Sequence, residues 1–139
     1  MEPSFELFDH TADIGLRIQA PTLPELLKPA ADALYAVIGK LAVTDDAGKM
    51  SFDLRADDSA LLLRDFLARL LVLFECEARV IRSLEVHTFN EHRLIATAQT
   101  ALVDYDHSIF SHEAKAITYH ELSIRSSPDG LVATVIVDI

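Results

Sequence analysis

The sequence lacks the parts from which several familiar kinds of protein are built. Its 139 residues hold one cysteine, Cys76, which excludes an internal disulfide framework and suits a reducing compartment. At the end of a predicted helix, Cys76 reads as a small apolar filler. Four glycines and five prolines leave no room for a long disordered linker. No Walker or Rossmann phosphate loop, G-x-S-x-G elbow, HExxH or CxxC occurs, so the common catalytic templates are absent. The opening, MEPSFELFDH, has no positive region followed by an apolar run, and no uncharged apolar stretch reaches the roughly 18 residues that span a bilayer. A cytoplasmic protein without membrane attachment is expected.

Basic residues are also scarce, at 12 against 22 acidic ones, for a formal charge of -10. Such a surface repels phosphate backbones, which excludes non-specific nucleic-acid binding. A basic protein partner, a divalent cation and simple solubility are all compatible with it. Half of the residues are hydrophobic, enough for one core, and a single domain over residues 1–139 is expected.

Residues 4–9 and 14–20 read as strands flanking a polar loop, DHTAD. In APTLPELLKPAADALYAVIGKL, Thr22 and Glu25 match a capping box, and Leu23, Leu26, Leu27, Ala30, Ala31, Leu34, Val37, Ile38 and Leu41 recur at helical spacing. Pro29 predicts a kink. A turn at DDAGK and a strand near 49–55 lead into DDSALLLRDFLARLLVLFECE, the strongest helix, with Leu62, Leu63, Phe66, Leu67, Leu70, Leu71, Leu73 and Phe74 on its apolar face. A hairpin with strands near 80–86 and 94–98 follows. After a polar loop, residues 115–125 and 131–138 form a second hairpin closed by SSPDG. LVATVIVD is apolar on both faces and is expected to be central. The pattern predicts an α+β fold, mostly antiparallel sheet with two α-helices.

Chemistry-bearing residues gather in three places. Asp138 and the α-carboxylate of Ile139 end a strand read as buried, so they either fray into water or require hydrogen bonds, a basic partner or a hard cation. Asp13 supplies a third oxygen if the DHTAD loop lies over that strand end, a donor set suited to calcium, magnesium or manganese. Asp9, His10 and Thr11 are read as holding the loop through hydrogen bonds. The stretch DYDHSIFSHEAK offers Asp104, Asp106, His107, His112 and Glu113 as a rival cluster, with which a small metal-dependent hydrolase would bind zinc, iron or manganese. Lys115 stands at a strand mouth where it would meet a phosphate or a carboxylate. His120 shares a face with Leu122 and Ile124 and reads as a core histidine.

Taken together, DHTADIGL, the leucine-rich first helix, LLLRDFLARLLVLFE, KAITYHEL and VIVDI resemble the archease family, in order and over nearly the whole chain. The resemblance implies an antiparallel sheet with two helices. It further implies an accessory protein without turnover of its own. That protein would serve an RtcB-type RNA ligase of tRNA splicing or RNA repair, promoting guanylylation of the ligase and its multiple turnover. A chaperone-like modulator of a tRNA methyltransferase is the other role that the family suggests. The implied divalent site is Asp13, Asp138 and the terminal carboxylate of Ile139, with Asp9, His10 and Thr11 around it. Lys115 matches a family lysine important for activation and is expected to contact the ligase or its nucleotide, with GTP at the joint interface. The sequence departs from the family pattern at Ala114, where isoleucine commonly precedes the lysine, and in the loop VDYDHSIFSHE.

Overall fold

In the computed structural model, which describes residues 1–139, the chain starts with a hairpin of β1 (Ser4–His10) and β2 (Asp13–Ala20). Only Thr11 and Ala12 join the strands, so the polar stretch is a two-residue turn rather than an open loop. Helix α1 (Leu23–Ile38) follows. Thr22 is its N-cap, but the hydroxyl donates to Glu25 Oε1 at 2.8 Å and caps no backbone amide. Neither backbone bond of the predicted capping box is made; the two side chains bond each other instead. α1 continues through the buried Pro29 and ends at Ile38. Gly39 turns the chain out of the helix with φ +155°, and a Cβ there would strike the Ile109 carbonyl. Leu41, placed by periodicity on the helix, consequently lies in β3 (Gly39–Arg55).

Strand β3 runs straight through the predicted DDAGK turn. Its pairing jumps from Val43↔Val103 to Ala47↔Ala101, so Thr44–Asp46 form a bulge. Arg79 holds that bulge, donating to the Asp46 carbonyl at 3.1 Å and to Asp46 Oδ1 at 2.6 Å. Helix α2 (Ser59–Glu77) opens on Asp58, whose carboxylate accepts from the Leu61 amide at 2.9 Å. Leu62, Leu63, Phe66, Leu67 and Leu70 are fully buried. Cys76 is exposed rather than apolar filler, since it lies in the last turn beyond the final buried residue, Leu73.

The next hairpin is β4 (Arg79–Phe89) and β5 (Arg93–Phe110). Register shifts after Ile81 and Val86 each add one residue. That spacing of three, two and three is what lets Ile81, Leu84, Val86 and Phe89 all reach the core. Val80, expected with Leu84 and Val86, is excluded from that core cluster for the same reason. The polar stretch after residue 103 is the far end of β5, not a loop. The second predicted hairpin is broken in its first arm, into β6 (Ala116–Ile117) and β7 (Ser123–Ser127), before β8 (Gly130–Asp138).

Two antiparallel sheets result. One has the order β1-β2-β8-β6, with β7 also on β8, and the other has the order β3-β5-β4. β8 is central, as its two apolar faces require. Both helices touch both sheets, and 29 buried residues from all of these layers form one core cluster. No helix is long and apolar enough to cross a membrane.

Candidate metal centre

The β1–β2 turn is built in an unfavourable way. Thr11 and Ala12 both take positive φ, 29° and 68°, where a two-residue hairpin normally uses Asn-Gly. Left-handed backbone at such residues costs about 1–3 kcal/mol each, and it collects at functional sites. The turn pairs His10 with Asp13 and starts β2 on the aspartate.

Register then assembles the end of the sheet. Ile14 pairs with Val137, so one step outward brings Asp13 opposite Asp138. On the other side of β8, Ala116 pairs with Asp138, and the Lys115 amide donates to the Asp138 carbonyl at 2.7 Å. Asp13, Asp138, Ile139 and Lys115 thus share one end of three neighbouring strands. The side chain of Ile139 packs against the core.

Asp13 and Asp138 are half-buried, and neither takes part in an ion pair. Partly buried carboxylates without a basic partner are hard oxygen donors of the kind a divalent cation satisfies. With the α-carboxylate of Ile139 the donor set is all oxygen, which fits calcium, magnesium or manganese better than a softer metal. Lys115 is exposed and free to reach outward. Asp9 and Thr11 are exposed as well.

His10 has partners that sequence reasoning missed. Its Nε2 lies 3.2 Å from Glu121 Oε2, and its ring meets that of His120 edge-on, with centroids 5.2 Å apart. His120 is exposed, not a core histidine. The strand that would have carried it inward stops at Ile117, and a turn closed by the Leu122 amide on the Tyr119 carbonyl, with Glu121 at φ 53°, swings it out. The available signal was KAITYHEL itself, where His120 and Glu121 stand beside each other.

The rival cluster does not assemble. His107 Nδ1 bonds Asp104 Oδ2 at 2.8 Å, and this hydrogen bond holds the Asp104 carboxyl below its usual range. Asp106, His112 and Glu113 are exposed along the strand and beyond it. Only His10, His120 and Glu121 bring three side-chain donors of metal-binding type together.

Comparison with known proteins identifies the family and the fold. The model of the Archease protein family (MTH1598/TM1083) matches residues 5–139. The protein archease of Thermococcus gammatolerans is 35% identical over 129 residues, covering 91% of each chain. That of Methanosarcina barkeri is 36% identical over 140 residues, covering 97% of this chain and 95% of its own. Among solved structures, protein 1598 of Methanobacterium thermoautotrophicum has the same fold, with TM-score 0.75 at 24% identity, covering 98% of this chain and 99% of that one. A Thermotoga maritima archease described as a possible chaperone superposes with TM-score 0.73 at 20% identity, covering 95% and 94%.

Proposed function

The chain belongs to the archease family, and from that premise we propose that it is the accessory protein of an RtcB-type RNA ligase in tRNA splicing or RNA repair. In this reading it performs no turnover itself. It promotes guanylylation of the ligase and so allows one ligase molecule to join many RNA ends. Asp13, Asp138 and the α-carboxylate of Ile139 hold a calcium, magnesium or manganese ion. Lys115 contacts the ligase or the phosphates of its GTP.

The observation that carries the reading is the β2–β8 register, whose Ile14↔Val137 pair leaves Asp13 and Asp138 as the next residues on neighbouring strands, beside the Lys115 amide on the Asp138 carbonyl. It supports an interacting tip in which carboxylates and one lysine are displayed at the same strand ends. A bound divalent ion would neutralise the carboxylates and supply a positive centre toward phosphate oxygens. The chain's own part is to fix the oxygens by sheet register and to orient Lys115 through its backbone bond. With a net charge of -10, docking to a basic ligase surface would be accelerated by electrostatic steering and slowed by salt.

The test is RNA ligation with limiting RtcB-type ligase, GTP and manganese, with the wild-type protein or Asp13→Ala added. The reading expects several products per ligase with wild type and about one with the variant. No gain in turnover from wild type, with a demonstrably active ligase, would sink it. A chaperone-like role toward a tRNA methyltransferase would then be examined in its place.

A further inference from the structure

We propose that His10, His120 and Glu121 form a second cation site, of mixed nitrogen and oxygen donors, that takes a zinc-class ion. The three offer ligand atoms that all lie within 4.8 Å of one another. His10 Nε2 and Glu121 Oε2, at 3.2 Å, are already at about the spacing that two ligands of a tetrahedral zinc ion adopt when each is some 2.0–2.1 Å from it. Imidazole nitrogens with one carboxylate favour zinc and its neighbours over calcium or magnesium. The site therefore differs in kind from the all-oxygen set of Asp13, Asp138 and Ile139, and it does not rest on the ligase reading.

The surroundings favour a ligand over a mere ion pair. The His10 ring is committed to no group outside the cluster: its Nδ1 has no hydrogen-bond partner, and its neighbours of ligand type are Glu121 and His120. Glu121 is held in left-handed backbone at φ 53°, and Thr11 and Ala12, next to His10, are also left-handed. Thus three of the four non-glycine residues with positive φ, Thr11, Ala12 and Glu121 against Ala78 alone elsewhere, lie in or beside this cluster. Glycine would relieve each of them, so the strain is maintained where these three side chains converge. His10 comes from the end of β1 and the other two from the turn between β6 and β7, so an ion there would staple two segments that do not pair with each other in the sheet.

The experiment is zinc competition against a coloured chelator with the full chain, repeated for His120→Ala, Glu121→Gln and Asp13→Ala, with calcium binding measured in parallel. His120 and Glu121 are exposed, so both substitutions leave the core intact, and circular dichroism verifies this. The proposal expects one zinc per chain, weakened about tenfold or more in His120→Ala and in Glu121→Gln, a loss at least as large as disrupting a supporting contact. Asp13→Ala should keep zinc affinity within about threefold, against roughly tenfold or more where even a supporting contact of the ion is lost. Zinc affinity unchanged in His120→Ala overturns the site and leaves an ion pair between His10 and Glu121. Zinc lost in Asp13→Ala but retained in His120→Ala overturns it too, by assigning the ion to the oxygen set. Whether calcium binds tests the oxygen set alone, so the two readings fail separately.

Discussion

The guanidinium of Arg64 donates from Nε to the Ile117 carbonyl at 3.0 Å and lies 4.4 Å above the ring of Tyr119, so helix α2 clamps a strand of only two residues. β6 pairs with β8 through Ala116 and Ile117 alone, too little to be stable unsupported. Removing the side chain leaves the carbonyl without its charged donor, and Arg64→Ala is expected to cost about 1–3 kcal/mol in urea unfolding. Amide exchange at Lys115 and Thr118, which donate to Asp138 and Ile136, should accelerate well beyond that at β2. Arg64→Lys should rescue little, since a compact ammonium lacks both the planar fork and the stacking surface. Protection at Lys115 unchanged in Arg64→Ala would show that β6 stands without the clamp.

Phe8 pairs opposite Gly15, and its ring occupies the space that a Cβ at Gly15 would need. The same ring carries the Arg17 guanidinium at 4.6 Å. Gly15→Ala must push the ring aside and break that stack, at an expected cost of about 1–3 kcal/mol. In the Phe8→Ala background the same substitution should cost markedly less, because the obstruction has gone. Thermal unfolding of the four proteins gives the coupling, and strict additivity would show that the two residues do not act on each other.

Tyr35 ties α1 to β4 by accepting the Ile81 amide at 3.0 Å. Burial pushes its phenol well above the ordinary value of 10.0. In the unfolded chain the phenol loses its proton first, so the folded state binds more protons as pH rises past about 10, and stability falls in that range. Below it this group contributes no pH dependence. Tyr35→Phe should remove its part of the alkaline decline while costing about 1–3 kcal/mol near neutral pH, because Ile81 N–H loses its acceptor. Urea midpoints at about pH 8 and about pH 10.5 check both halves.

Both helices and the central place of β8 follow from periodicity, which depends on burial and is written in side-chain type. Register is not written that way. Thr44–Asp46 carry turn residues, yet Arg79 holds them as a bulge in a continuous strand. Likewise, nothing in the alternation of His120, Leu122 and Ile124 reveals that the strand stops at Ile117. For the site, Asp13 and Asp138 could be suspected from carboxylates at strand ends, whereas their placement on neighbouring strands depends on β2 lying beside β8, a pairing of distant segments. His120 and Glu121 escaped because their turn depends on left-handed backbone at a glutamate, which composition does not advertise.

Ile139 offers the sharpest test of the proposed oxygen donor set, because the contribution proposed for it is a main-chain group that no substitution removes. Extending the chain by a few residues converts the α-carboxylate to an amide, deleting one charge while Asp13 and Asp138 remain. Calcium or manganese affinity should then fall about tenfold or more, comparable to Asp138→Ala. The side chain of Ile139 packs on the core, so a loss of affinity has to be separated from loosened packing. Thermal unfolding in excess chelator does this: equal metal-free stability of the extended and native chains assigns the loss to the carboxylate itself. Affinity unchanged by the extension would remove Ile139 from the donor set and leave the two aspartates to seek their third oxygen elsewhere.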